Sequence, residues 1–153
     1  MDCTIEAAAL ADLPAIAAIL NDAIVNSVAA WRETPMTDGE MKAWFERRER
    51  HFAVLVARAA DGSVLAYASY GAFRAYSGYR HTVEHSVYVR QGARGQGVGK
   101  ALLARLVERA RGQGFHVMIG ALEAGNAASL ALHAGQGFTE AGRMPEVGRK
   151  FDR

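Results

Sequence analysis

Three glycines at alternate positions, Gly95, Gly97 and Gly99, stand between two cations, Arg94 and Lys100. Gln91 precedes them, and an apolar stripe at helical spacing follows: Leu102, Leu103, Leu106, Val107 and Ala110. A turn of this kind suits an anion. Glycines let the main chain curl and approach a ligand without side-chain clash. The helix opening behind them offers unpaired N–H groups and the positive end of its dipole. The spacing excludes two well-known phosphate loops. A Walker A loop ending at Gly99 and Lys100 requires glycine where Arg94 stands, and Ser or Thr where Ala101 stands. A dinucleotide fingerprint starting at Gly95 requires its third glycine where Lys100 stands.

A second group lies just upstream. His81-Thr82-Val83-Glu84-His85 spells H-x-x-E-H, a zinc motif when helical. Here the segment alternates and is rich in β-branched residues, so it reads as a strand. At about 3.3 Å per residue, the two histidine Cα atoms stand roughly 13 Å apart. One zinc needs each nitrogen at about 2 Å, so no metal is expected. Glu84 remains as a carboxylate within an apolar strand, which is costly unless it is used or paired. Cys3 is the only cysteine and has no histidine near it in sequence. A disulfide, a cysteine metal cluster and a cysteine nucleophile are therefore not expected.

The elements that must position these groups follow from pattern. A strand is expected over 3–7. Asp12 reads as an N-cap with Pro14 in the first turn, and Ile16, Ile19, Leu20, Ala23 and Ile24 mark an amphipathic helix. A loop over 27–36 carries Trp31 and Pro35. Thr37 and Glu40 form a capping box that opens a second helix to about His51. Strands over 52–58 and 64–73 are joined at Asp61-Gly62. A strand over 82–90 leads into the glycine turn, and the long helix ends in the glycines at 112–114. A strand follows over 116–122. Asn126 caps a shorter helix through Ala134, and a final hairpin arm is expected from Phe138 onward. This order indicates one α/β (α+β) domain over 1–153 around a mixed sheet.

Composition agrees with that frame. Half the residues are hydrophobic and 22% are charged, enough apolar material for one core in 153 residues. No apolar run approaches the roughly 20 residues of a membrane helix. The first residues lack the pattern of a signal peptide, so the expected compartment is the cytoplasm. Net charge is only +2, and acids interleave with bases, as over 42–50. No nucleic-acid stripe is present.

The turn Arg94-Gly95-Gln96-Gly97-Val98-Gly99 resembles the acetyl-CoA signature of the GNAT superfamily of N-acetyltransferases. Tyr67-Ala68-Ser69-Tyr70-Gly71, Thr82-Val83-Glu84-His85-Ser86-Val87-Tyr88-Val89, Asn126-Ala127-Ala128-Ser129 and Met144-Pro145-Glu146-Val147-Gly148 resemble its phosphinothricin / methionine sulfoximine acetyltransferase branch, as does Trp31 with Pro35. The resemblance implies a GNAT fold: a central mixed, mostly antiparallel sheet flanked by helices, with splayed strands forming the acetyl-CoA cleft. It implies direct transfer of acetyl from acetyl-CoA to the α-amino group of a small amino-acid-like substrate such as phosphinothricin or methionine sulfoximine. A peptide N-terminus or another small amine is the alternative acceptor, and a non-catalytic acyl-CoA-binding module the alternative class.

The resemblance also implies roles. Amino-acid amines are mostly protonated at neutral pH, and Glu84 occupies the position of the general base that removes the proton. The backbone at Val87, Tyr88 and Val89 meets the pantetheine arm and supplies the oxyanion donor. Arg94, Gly95, Gln96, Gly97, Val98, Gly99 and Lys100 hold the pyrophosphate. Asn126 and Ser129 are further coenzyme contacts. His133 stands where much of the superfamily has Tyr; it reads as a general acid, a coenzyme contact or a plain helix histidine. Trp31, Arg74, Ala75, Tyr76, Arg80, Glu84, His85 and Ser86 are the expected substrate residues. Two departures from the branch are Ala72-Phe73-Arg74, where it has Asp-Trp-Arg, and an end at Arg153, where its members continue past Lys150-Phe151 into another strand. Either the sheet lacks its final strand or the chain is a shortened one. A homodimer is implied, with the arm over 144–151 contributing.

Overall fold

Five strands form one sheet in a computed structural model that describes residues 2–153. They are β1 (Cys3–Ala7), β2 (Ala53–Ala59), β3 (Val64–Ala72), β4 (Thr82–Val89) and β5 (Val117–Gly120). Their order across the sheet follows the chain. All neighbours are antiparallel except β4 and β5. The helices are α1 (Leu13–Asn26), α2 (Asp38–Glu49), α3 (Val98–Gly112) and α4 (Ala127–Ala134). This is the mixed, mostly antiparallel α/β architecture expected from the sequence.

Alternation along the strands gives the sheet two apolar faces, and each is covered. Val54, Val56 and Tyr67 pack against Ile16, Ile24, Met41 and Phe45 of α1 and α2. Leu55, Ala66, Ala68 and Val83 pack against Val98, Leu102, Leu103 and Leu106 of α3. The stripes read from sequence are therefore the buried ones. Thr37 and Glu40 form the expected capping box on α2.

Two local expectations fail. Asp12 stands at the cap position of α1, but its carboxylate does not cap it. A short 3-10 turn at Leu10–Asp12 swings it back, so it accepts from the Ala9 N–H and pairs with Arg58, both at 2.9 Å. The hairpin arm after Phe138 is absent: residues 138–153 form coil and turns. Glu146, Phe151 and Asp152 have φ near +58°, +53° and +59°, which no extended strand accommodates. No described helix is long and apolar enough to cross a membrane.

Candidate active site

The edge of β4 is half open. Arg90 N–H donates to the Leu65 carbonyl at 2.8 Å, and Phe73 N–H to the Thr82 carbonyl at 3.3 Å. With the β3–β4 register, these bonds fix the alternation of the main chain. Glu84, Ser86 and Tyr88 present their N–H and C=O groups to β3. Val83, His85, Val87 and Val89 present theirs to the β5 side. Pairing with β5 stops at His85 opposite Gly120. The main-chain groups of Val87 and Val89 therefore face the gap beyond β5. Arg94 Nε donates to the Val89 carbonyl at 3.1 Å.

The glycine turn closes one end of that gap. A 3-10 turn at Gln91–Ala93 leads to Arg94. Gly95 and Gly97 then take φ of +73° and +80°, the left-handed region glycine enters without strain. Gly97 is the N-cap of α3 and no side chain caps it. The first helical bond runs from Ala101 N–H to the Gly97 carbonyl. The helix thus leaves the N–H groups of Val98, Gly99 and Lys100 for an outside acceptor. A Cβ on Gly99 would stand 3.2 Å from Val89 Cγ2, so its absence lets the helix start lie against β4. An uncapped helix start beside an open strand edge fits a phosphate-bearing ligand with an extended arm. Across the gap, Asn126 caps α4 by accepting from Ser129 N–H at 3.0 Å.

Glu84 lies on the other side of β4, opposite Gly71 and on the face covered by α1 and α2. It is half-buried, and its carboxylate makes no hydrogen bond or ion pair among the described residues. Ser86 and Tyr88 share this face. Tyr88 reaches the loop after α1, its hydroxyl 3.4 Å from the Ala29 carbonyl. Trp31, on the same loop, is 44% exposed and packs on Gly148. The expected substrate loop is exposed. Arg74 lies over the Phe73 ring and donates to the Phe73 carbonyl. Arg80 donates to the Ser77 carbonyl, and Ala75 and Tyr76 are exposed between them. Strand alternation turns the His85 side chain to the α3–α4 face, away from Glu84, so only its main chain borders the gap.

That side chain meets His133 instead. The two rings stack with centroids 5.0 Å apart, both are 6% exposed, and Phe138 packs against each. Burial, helped by the nearby His133, pushes the His85 pKa down to about 4.

Two residues of this region escaped the sequence reading. Lys150 is buried, and its Nζ donates to the carbonyls of Ile24, Ser27 and Ala30. Arg48 lies over the Trp44 ring and against Gly71. Its spacing was the available signal: it falls seven residues after Met41 and three after Phe45, on the buried face of α2. A hollow of about 730 Å³ lies between the ends of α2 and α3 beside Phe45, Phe52 and Arg109, away from the glycine turn.

Known proteins are similar to this chain in sequence and fold. The acetyltransferase (GNAT) family model matches residues 16–138. An L-methionine sulfoximine/L-methionine sulfone acetyltransferase of Pseudomonas aeruginosa is 54% identical over 154 residues, spanning 100% of this chain and 90% of that protein. A solved structure of a ribosomal-protein-alanine N-acetyltransferase from Brucella melitensis is 52% identical, with a TM-score of 0.95 over 98% of this chain and 93% of that one. A phosphinothricin acetyltransferase from Sinorhizobium meliloti, solved with acetyl-CoA, is 38% identical, with a TM-score of 0.97 over 100% of this chain and 83% of that one. A family match over most of the chain, coinciding with the open β4 edge and the uncapped glycine turn, makes this protein a member of the GNAT family of acetyltransferases.

Proposed function

We propose that this enzyme transfers acetyl from acetyl-CoA to the α-amino group of a small amino acid of the methionine sulfone, methionine sulfoximine or phosphinothricin class. The observation that carries this reading is the unpartnered Glu84 carboxylate on the strand whose next residues face an open edge. Similarity to acetyltransferases named for those substrates supports it.

Acetyl-CoA, when bound, supplies the acetyl thioester. The N–H groups at the start of α3, with Arg94 and Lys100, hold its pyrophosphate. Val87 and Val89 pair with its pantetheine arm, and Asn126 and Ser129 on α4 contact it from across the gap. Glu84 takes a proton from the substrate ammonium, directly or through one water. The Val87 N–H donates to the thioester oxygen as negative charge develops there. The new C–N bond forms as the C–S bond breaks, and the sulfur departs as thiolate. A thiol of ordinary pKa, about 8.5, leaves without an acid. His133 has both ring nitrogens engaged, which favours a positioning role for it over proton donation. In this reading the enzyme works as a cytoplasmic homodimer, with Met144 and Val147, each 73% exposed, at the contact.

The test is release of free coenzyme thiol with methionine sulfone, methionine sulfoximine, phosphinothricin and a peptide beginning with alanine. Turnover with the amino acids is expected. The Brucella relative favours the second reading, a peptide N-terminus; turnover confined to the peptide establishes it instead. Coenzyme binding without any turnover leaves a non-catalytic module.

A further inference from the structure

We infer that Arg48 binds the carboxylate of the substrate, which rests on the reading that the substrate is an amino acid. The guanidinium lies against β3 at Gly71. A Cβ on Gly71 would stand 3.2 Å from Arg48 Nη2 and 3.4 Å from Cζ, so glycine at 71 is what admits it. Trp44 backs it, 5.0 Å from ring centroid to Cζ. The buried Nε has no acceptor, and no acidic residue pairs with the group among the described residues. Burial pulls the Arg48 pKa below that of a free guanidinium, with nearby Tyr67 opposing the shift and Arg47 adding to it. Arginine stays charged in proteins. A half-buried cation without a counter-ion carries a standing desolvation cost. An anionic ligand removes it.

Position says which anion. Gly71 is the cross-strand partner of Glu84. Directly opposed residues share a face with Cβ positions about 5 Å apart. Arg48, lying against Gly71, and Glu84, opposite Gly71, therefore belong to the same face of the sheet, and the two form no ion pair among the described residues. Both groups stay available to a ligand. An α-amino acid carries its amine and its carboxylate on one carbon. A base at the amine and a cation at the carboxylate must then share one face of the site, as Glu84 and Arg48 do across Gly71. Arg74 and Arg80 instead bond carbonyls of their own loop.

The test compares methionine sulfone with its carboxamide, which lacks only the carboxylate charge. Wild type should prefer the acid by roughly tenfold to a hundredfold in kcat/KM, the scale of one charge-assisted contact. Arg48→Gln should erase that preference through KM for the acid. Its kcat/KM for the acid should fall much further than that for the amide, and KM for acetyl-CoA should move least. Arg48→Lys keeps the charge but loses the fork, so it should recover part of the preference. Thermal melting checks each variant; if Arg48→Gln does not fold, a raised KM for the acid alone in Arg48→Lys decides. Equal use of acid and amide by wild type, or a preference that survives Arg48→Gln, overturns the assignment and leaves amine acetylation standing. Acetylation of neither compound removes the amino-acid reading itself, and this assignment with it.

Discussion

Nε2 of His133 lies 3.1 Å from Nε2 of His85, while its Nδ1 lies 2.7 Å from the Ser129 carbonyl. A carbonyl only accepts, so Nδ1 of His133 carries the proton. In the neutral pair, Nε2 of His133 is then the acceptor, and His85 Nε2–H is the donor. That leaves Nδ1 of His85 as a buried acceptor with no partner. The pair ties β4 to α4 at the point where β5 ends.

The same pair predicts a pH limb in stability. The folded pKa of His85 is depressed from 6.5 to about 4, so the unfolded chain takes up its proton first as pH falls. Its contribution is complete above about pH 6.5 and is lost on descending towards pH 4. The loss should reach about 3 kcal/mol across that window. Denaturant melts from pH 7 to pH 4 measure it. His85→Gln keeps a donor near Nε2 without a titrating ring, so its melts should show a flatter limb; an equally steep limb would assign the proton to another group.

Gly120 shields that contact by having no side chain. A Cβ there would stand 2.8 Å from His85 Nε2 and 3.2 Å from His133 Cδ2. Gly120→Ala must therefore push the rings apart, at a cost of about 1–3 kcal/mol. Calorimetry should show a melting temperature lower by roughly 2–4 °C for each kcal/mol lost. An unchanged melting temperature would mean that the ring pair shifts freely.

Local chemistry was legible in the sequence, and contact across long separations was not. Thr37 and Glu40 announce a cap three residues apart, and the stripes of α1 and α3 announce buried faces, because each pattern is written within a few turns. The glycines at 95 and 97 announce left-handed backbone for the same reason. His85 and His133 are 48 residues apart, and no spacing rule joins them. Lys150 looks like any surface lysine until the end of α1 is placed above it. Arg48 sits in a run of charges that reads as solvated surface, although its spacing matches the buried face of α2. The tail after Phe138 forms coil and turns where a strand is expected, with three positive φ angles at non-glycine residues that no local pattern announces.

Glu84→Gln removes the base while keeping shape. Turnover should fall by roughly 10²–10⁴-fold, the usual contribution of a general base. Acetyl-CoA affinity, measured by calorimetry, should not change, because the glycine turn and the open edge of β4 are untouched. The residual rate should climb with pH as the free amine fraction grows. Full turnover by the variant at neutral pH would remove Glu84 from the chemistry.

Lys150 holds the C-terminal segment to the loop that carries Trp31. Its ammonium sits at the end of α1, where the carbonyls of Ile24, Ser27 and Ala30 converge and where a cation also suits the helix dipole. Two residues earlier, Gly148 lies against the Trp31 ring. Lys150→Met keeps the apolar stem but strips these acceptors of their donor. The expected loss is about 1–3 kcal/mol or more, the range for leaving buried polar groups unsatisfied. Trp31 should then become more exposed, read as a red shift of its emission in a Trp44→Phe background. KM for the acceptor should rise more than KM for acetyl-CoA, because the loop borders the Glu84 face and not the glycine turn. If melting and emission both stay at their parental values, the tail is held by contacts other than Lys150.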